Sequence, residues 1–242
     1  MDLDPRRLAR LPAHIALIMD GNGRWARARG LPRVRGHQAG VEALRDIVTA
    51  CAEWEISYVT LFSFSTENWA RPRPEVEFLM SLLQRYLRHE LDMLHNNKVR
   101  LRTIGFTEQL PTAVRKDLDS AIRSTAGNAG LTLVLALSYG SRAEIAQAAR
   151  ALARESASGA IKPDDIDEAM LAGRMQTAGM PDPDLVIRTS GEMRISNFLL
   201  WQIAYAELWV TPTLWPDFRR AELFTALEDY AARNRRFGKV ES

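Results

Sequence analysis

Residues 14–40 read HIALIMDGNGRWARARGLPRVRGHQAG, and the first third of that stretch decides the fold. His14 to Met19 is an apolar run that stops at Asp20 and passes into Gly21-Asn22-Gly23. An apolar run without polar alternation reads as a strand buried on both faces, which is how strands of a parallel sheet look. A carboxylate and glycines at its carboxyl end, ahead of a helix-like segment, read as a strand-to-helix turn. Between Asp20 and Gly40 lie five arginines (Arg24, Arg27, Arg29, Arg33, Arg35), one histidine (His37) and no second acid.

The same pattern recurs outward from there. Further strands are expected at Tyr58–Phe64, Val99–Ile104, Leu131–Leu137, Leu185–Thr189 and Ala206–Thr211, separated by helical patterns or irregular loops. Strand and helix in alternation predict an α/β fold: one domain over 1–242, with a central, mostly parallel six-stranded sheet flanked by helices and a flexible N-terminal tail over 1–11. No Gly/Ser linker, repeat or low-complexity tract interrupts it.

Composition narrows the classes. Of the 242 residues, 32 are Lys or Arg and 30 Asp or Glu, a net charge of +2. That balance argues against nucleic-acid binding through bulk charge, so the arginine clusters are read as sites. The single cysteine, Cys51, rules out an intramolecular disulfide framework and reads as a core residue. His14, His37, His89 and His95 show no ligand pairing. No apolar run approaches the ~20 residues of a membrane span, and MDLDPRRLARLP lacks a signal-peptide core, so a cytoplasmic protein is expected.

Open parallel sheets bind ligands beyond the carboxyl ends of their strands. Asp20 ends the first strand, FSTENWARPRPE (64–75) follows the second, SYGSR (138–142) the fourth and RTSGEMRIS (188–196) the fifth. These ends bring Arg24, Arg33, Arg71, Arg188 and Arg194 to one edge. Glycines let a backbone approach a ligand closely, helix N-termini offer free N–H groups, and arginine grips phosphate oxygens in pairs. The stretch reads as a cradle for more than one phosphate group. It is neither a P-loop nor a dinucleotide fingerprint, because the required Gly-Lys-Ser/Thr and third glycine are missing. A carboxylate amid phosphates calls for a bridging cation, and Mg²⁺ takes one or two carboxylates with phosphate and water. The plainer readings are a helix N-cap for Asp20 and a solvated face for Arg27, Arg29 and Arg35, the latter favoured.

Two further stretches have competing readings. PEVEFLMSLLQRYLRHELDMLHNN (74–97) predicts a long amphipathic helix with Phe78, Leu79, Leu82, Leu83, Tyr86 and Leu87 on its apolar side. Such a stripe is usually core, and the alternative is a wall lining a lipid tunnel. DDIDE (164–168) fits the aspartate-rich pattern of the all-helical trans-prenyl synthases. It follows Pro163 at a helix start and has no second copy, so capping is the favoured reading.

Taken together, HIALIMDGNGRWA, GHQAG, FSTENWARPRPEV, LVIRTSGEMRISNFLLWQIAYAEL and WPDF…RRFG resemble the cis-prenyltransferase (isoprenyl transferase) family, of which bacterial undecaprenyl diphosphate synthase is the nearest type. The resemblance runs from about Pro12 to Gly238. It implies the undecaprenyl diphosphate synthase fold with a hydrophobic tunnel. The implied reaction is a Mg²⁺-dependent condensation of an allylic diphosphate, commonly farnesyl diphosphate, with isopentenyl diphosphate units, the new double bonds being cis. The implied product is undecaprenyl diphosphate for the cell-wall lipid carrier, with short- or medium-chain products as the alternative.

On this resemblance Asp20 engages the metal and assists departure of the diphosphate. Gly21, Asn22, Gly23 and Arg24 cradle that diphosphate, with Arg33 and His37 adding donors and Trp25 beside the entrance. Ser65, Thr66, Glu67, Asn68, Trp69 and Arg71 form the loop that closes over the substrates, Asn68 being the candidate for helping remove the proton and Glu75 a supporting position. Arg188, Arg194, Ile195 and Ser196 form the isopentenyl diphosphate site, and Glu207 completes metal binding across a homodimer. Peripheral contact with the inner face of the membrane during product release is also implied, and nucleic acid is not expected as a partner. An amide such as that of Asn68 is a poor base, so the departing diphosphate itself is the alternative acceptor of that proton.

Two features depart from or qualify the family pattern. Ser138-Tyr139-Gly140-Ser141-Arg142 stands where the family often has Asn-Tyr-Gly-Gly-Arg, and Ser63 is a small residue at a position expected to face the tunnel. A non-catalytic partner subunit of the same fold is the rival reading. Retention of Asp20, Asn68, Arg188, Arg194, Ser196 and Glu207 argues against it.

Overall fold

The computed structural model describes residues 3–233; RRFG at 235–238, the end of the last motif, lies outside the described residues. The elements run β1 (His14–Ile18), α1 (Asn22–Ala28), α2 (Arg33–Glu53), β2 (Tyr58–Ser65), α3 (Arg73–His89), α4 (Leu91–Asn96), β3 (Arg100–Ile104), α5 (Thr112–Thr125), β4 (Thr132–Tyr139), α6 (Ser141–Ala157), α7 (Glu168–Ala172), β5 (Leu185–Arg188), β6 (Glu207–Val210) and α8 (Arg220–Ala232). All six expected strands form, with ends shifted by at most two residues. They make one sheet in the order β3-β4-β2-β1-β5-β6, and every pairing is parallel. The expectation of a mostly parallel sheet is thus met in full.

Successive strand side chains face opposite ways. Ile15 and Leu17 of β1 join a large core with Ile47 and Val48 of α2, Leu118 of α5 and Leu227 of α8. Ala16 and Ile18 face the other way, against Val134, Val186, Phe198 and Ile203. Burial on both faces explains why the strands read as unbroken apolar runs. The N-terminal segment is docked: Leu3, Leu8 and Leu11 pack on the core, and the Arg10 guanidinium lies 4.6 Å from the Tyr230 ring centre.

The 74–97 stretch is not one helix. It breaks at Glu90, between α3 and α4. Glu90 is 5% exposed and is held by Arg45 of α2 through Nε at 3.0 Å and a second guanidinium contact. A buried carboxylate needs such a partner. DDIDE forms a short 3-10 turn and a cap: Asp167 accepts from the Met170 N–H at 2.8 Å, as the capping reading expected.

The GHQAG motif has a packing reason. A Cβ on Gly36 would lie 1.9 Å from the Asn22 carbonyl oxygen, and one on Gly40 2.9 Å from Trp215 Cδ1. These glycines let α2 pass directly beneath α1 and the turn that carries it, so they set the height of the cradle. Gly36→Ala forces α1 away at a cost of about 1–3 kcal/mol, the usual range for overpacking. Thermal unfolding should show a lowered midpoint, and an unchanged midpoint would reject this account.

Candidate active site

Gly21, with φ of +107°, turns the chain from Asp20 into the first residues of α1. A side chain there would be strained by that φ and would meet Leu214 at 2.9 Å. Asp20 therefore sits above the end of β1, next to the end of β5, where Arg188 stands.

Arg188 is the centre of the polar arrangement. It is 5% exposed; its Nη2 donates to Asp20 Oδ2 at 2.9 Å and its Nη1 to Ser196 Oγ at 3.0 Å, with a further bond to the Arg194 carbonyl. Asp20 Oδ1 accepts from the Gly21 N–H at 2.7 Å. Burial opposes ionisation of Asp20. The bonds from Arg188 and Gly21, with the charges of Arg188 and Arg24, outweigh it and hold the carboxyl below its ordinary range.

Around this pair opens a cavity of about 790 Å³. Its polar rim carries Asp20, Gly21, Asn22, Gly23, Arg33, His37, Ser65, Glu67, Asn68, Arg71, Arg188, Arg194 and Ser196. Its inner wall carries Phe62, Phe64, Leu135 and Leu137 from the sheet, Leu44 from α2, and Leu79, Leu82, Leu83 and Tyr86 from α3. The α3 stripe meets both readings: Leu79 and Leu83 pack on the core and Tyr86 is 6% exposed, and these three with Leu82 also line the cavity. Leu87 alone of the stripe is plain core, 3% exposed. Ser63 also lines the cavity, as expected. The β2–β4 register slips between Phe62 and Ser65, and that irregularity brings the Phe64 ring to the same side as Ser63.

Several buried polar atoms beside the cavity have no partner: Asn22 Oδ1, His37 Nε2 and Arg188 Nε. Unsatisfied buried groups are rare, and three at one rim suit a polar ligand. The non-glycine residues Ser190, Ser196, Asn197 and Leu199 all have positive φ, between 49° and 78°. Strained backbone of this kind gathers at ligand sites.

The other expected residues are placed differently. Arg24 lies in an adjoining groove, 3.1 Å from Glu192 and 3.7 Å from Asp20. Trp25 faces outward, bonded to Asp217 at 2.7 Å and covered by Arg29. Trp69 packs against Phe64 at 4.8 Å and donates to Ser138 at 2.8 Å, so it anchors the 66–70 turn rather than lining the cavity. Thr66 bonds Glu67 at 3.2 Å, and Ile195 packs on the second core. Asn68 Oδ1 accepts from the Ser65 N–H at 3.2 Å, which leaves its amide group toward the cavity.

Glu207 is not brought to Asp20 within the chain. It pairs with Leu185 and Arg233 at the far end of the sheet, on the order of 16 Å along the strands from Asp20. Among the described residues no cluster of three or more His, Cys, Asp or Glu could hold a metal. One accessible, ionised carboxylate among phosphate-type donors still suits Mg²⁺, which draws its remaining ligands from substrate and water.

Sequence reasoning did not assign Glu192, Asn197 and Arg142. Glu192 pairs with both Arg24 and Arg194. Asn197 bonds Glu67 at 2.9 Å and the Arg142 N–H at 2.9 Å. Their position inside RTSGEMRISN and SYGSR was the available signal. Ser138 and Ser141, the departures from the family pattern, each take part in bonds: Ser138 donates to Gln109 at 2.7 Å and Ser141 accepts from the Leu200 N–H at 2.9 Å.

Fold and site together define an α/β enzyme whose cavity joins an arginine-rich anion cradle to an apolar chamber. The family model described as "Putative undecaprenyl diphosphate synthase" matches residues 18–238, and the chain belongs to that family of prenyl-transferring enzymes. It is 55% identical to an isoprenyl transferase of Heliobacterium mobile, over 99% of this chain and 91% of that one. Identity to an isoprenyl transferase of Agrobacterium fabrum is also 55%, over 95% and 93%. Among solved structures, lavandulyl diphosphate synthase from Lavandula x intermedia in complex with dimethylallyl diphosphate superposes with a TM-score of 0.92 at 37% identity, covering 95% of this chain and 99% of that one. A probable undecaprenyl diphosphate synthase from Campylobacter jejuni gives 0.78 at 34%, over 96% and 100%.

His37 offers a test of the rim's electrostatics. Burial and the Arg33 charge push its imidazole down to about 4, against a smaller opposing effect of Glu75. The free protein therefore keeps His37 neutral at pH 7. Because the folded value lies below the unfolded one, stability rises with pH between about 4 and 6.5 and is full above that window. NMR should show one histidine, lost in His37→Ala, titrating near the low end, with a rise when inorganic diphosphate binds. A midpoint near 6.5 in the free protein would contradict this picture.

Proposed function

We propose that the protein is a Mg²⁺-dependent cis-prenyltransferase that extends an allylic diphosphate, farnesyl diphosphate as the expected starter, with isopentenyl diphosphate. The product is a long Z-polyprenyl diphosphate of undecaprenyl length, serving the cell-wall lipid carrier. One observation carries this reading: the 790 Å³ cavity has a rim of arginines around Asp20 and an apolar wall behind it. A substrate with a diphosphate head and a hydrocarbon tail matches both halves.

Departure of the allylic diphosphate builds negative charge on the leaving oxygens. The N–H groups at the start of α1, Asn22, Arg33 and the neutral His37 would meet that charge with prearranged donors. Asp20 would hold Mg²⁺, whose chemistry is to neutralise the same charge. Arg188, Arg194 and Ser196 would bind the second diphosphate and orient its carbon chain toward the allylic carbon. The apolar wall keeps water from the cationic fragment. Asn68 acts as an orienting group, because its carbonyl oxygen is engaged with Ser65 and an amide is a poor base. Proton removal then falls to an oxygen of the departing diphosphate.

A homodimer is part of this reading. Edge strand β6 exposes Leu208 by 50%, with Tyr205 exposed by 68% just before it, and an open edge invites a partner. Metal binding by Glu207 belongs to the neighbouring copy's site, given its distance from Asp20 in its own chain. A short-chain product is the second reading, favoured by the superposition on lavandulyl diphosphate synthase.

Purified protein with Mg²⁺, farnesyl diphosphate and labelled isopentenyl diphosphate should give a polyprenyl diphosphate of eleven units that EDTA abolishes. A product of few units selects the short-chain reading, and no product with any starter leaves the non-catalytic subunit. Asp20→Ala should lower turnover by at least about 10²-fold. Asp20→Asn, which keeps an acceptor for Arg188, separates that loss from misfolding. Near-normal turnover in Asp20→Ala would reject the role. Arg194→Ala should chiefly raise KM for isopentenyl diphosphate, and an unchanged KM would reject that assignment.

A further inference from the structure

We propose that Asn197 is a positioning residue that ties the 66–70 turn, which carries Asn68, to the loop that would bind the second diphosphate. This rests on the prenyl-transfer reading of the cavity and adds to it a residue that acts through its neighbours.

The segments that follow β2, β4 and β5 meet at this side chain. Asn197 comes directly after Ser196, whose hydroxyl Arg188 holds at 3.0 Å. Its Nδ2 donates to Glu67 Oε1 at 2.9 Å, across to the turn after β2. Its Oδ1 accepts from the Arg142 N–H and its carbonyl from the Ser141 N–H, each at 2.9 Å, in the first turn of α6. A carboxylate takes only a donor and an N–H only an acceptor, so the two partners fix which way the amide faces. The fit is close: a Cβ on Gly140 would stand 2.5 Å from Thr66 Oγ1 and 2.9 Å from Asn197 Nδ2. Asn197 has a φ of +63°, a conformation that asparagine and aspartate tolerate better than most side chains.

On the other side of the link, Glu67 Oε2 accepts from Thr66 Oγ1 at 3.2 Å, and the neighbouring Asn68 is held through its Oδ1 by the Ser65 N–H. A diphosphate gripped by Arg188, Arg194 and Ser196 steadies the loop from which Asn197 projects. The bond to Glu67 carries that constraint to the turn, and so to the amide of Asn68. Such positioning matters, because a misplacement of about 1 Å at a reacting centre can cost about 10²-fold in rate. The plainer role for Asn197 is to cap the first turn of α6. Capping needs only Oδ1 and gives the bond from Nδ2 to Glu67 no task, so the two roles separate at that bond.

Asn197→Asp is the test. It keeps the left-handed backbone and the acceptor for Arg142, and it replaces the donor facing Glu67 by a second carboxylate. It should lower kcat by about ten-fold, the worth of one hydrogen bond to a charged group, and change KM for isopentenyl diphosphate by less than about two-fold. Its thermal midpoint should match that of the wild type. The double variant Asn197→Asp/Glu67→Gln restores a donor and an acceptor with their roles exchanged, and it should regain most of the lost kcat. An unchanged kcat in Asn197→Asp, or a loss that the double variant does not regain, overturns the proposal. Amide hydrogen exchange gives a readout that needs no turnover: inorganic diphosphate should slow exchange over 66–70 in the wild type and not in Asn197→Asp. Equal slowing in both, or none in the wild type, also overturns it. A wild-type protein that makes no prenyl product yet shows this difference in exchange would defeat the reading of the cavity and leave the link through Asn197 standing.

Discussion

The Arg188 side chain is the constraint on which the site depends. A guanidinium at 5% exposure cannot be left unpaired. It meets that demand by joining the end of β1 through Asp20, the loop after β5 through the Arg194 carbonyl, and Ser196. Its bonds to the Arg194 carbonyl and Ser196 tie down the loop in which Ser196 and Asn197 take left-handed conformations. The anion cradle on α1 and the arginine loop are thereby fixed relative to one another before any ligand arrives. That is what preorganised electrostatic stabilisation requires.

The parallel sheet serves two opposite demands at once. Its carboxyl ends gather backbone N–H groups, carboxylate and arginines where the chain turns into helices. A few ångströms behind them the same strands present Phe64, Leu135 and Leu137 to a chamber roofed by α3. Regular alternation from Val59 and Leu61 already turns Ser63 to the chamber side, a small residue where bulk would narrow the space. The register slip around Phe64 brings that ring to the same side, whereas Phe62 stacks on Phe198 across the sheet. Polar rim and apolar wall are thus successive rows of the same strands.

The strands were legible because burial on both faces leaves nothing in a parallel strand but apolar residues. The cavity's polar rim was legible in part because polar residues in such folds gather just beyond strand ends, as Asp20, Arg188, Arg194 and Ser196 do, while Asn22 lies in α1 and Arg33 and His37 in α2. What depends on long-range partners was not legible. The helix break falls at Glu90, which Arg45, a residue forty-five positions away, holds in its buried place. The cavity wall on α3 has the periodicity of any buried face, so nothing in its spacing separates contact with core from contact with a chamber. Trp25 and Trp69 share the motifs of the rim but serve to pin α1 and the 66–70 turn, and only their bonds to Asp217 and Ser138 reveal it.

Two carboxylates interleaved with the arginines govern how strongly those arginines can bind. Glu75, 15% exposed, accepts from Arg71 at 2.9 Å and lies 3.4 Å from Arg33, while Glu192 bridges Arg24 and Arg194. Gathered arginines without counter-charges would repel one another and spread apart. Glu75 and Glu192 hold them in place at the cost of competing with the incoming diphosphate for the same donors. Under the proposed function, binding would proceed as an exchange of carboxylate for phosphate, with a net gain smaller than a count of arginines suggests. That moderation suits an enzyme that must release one diphosphate and bind another at every cycle, because a cradle that held its anion with the full strength of free arginines would be slow to let it go.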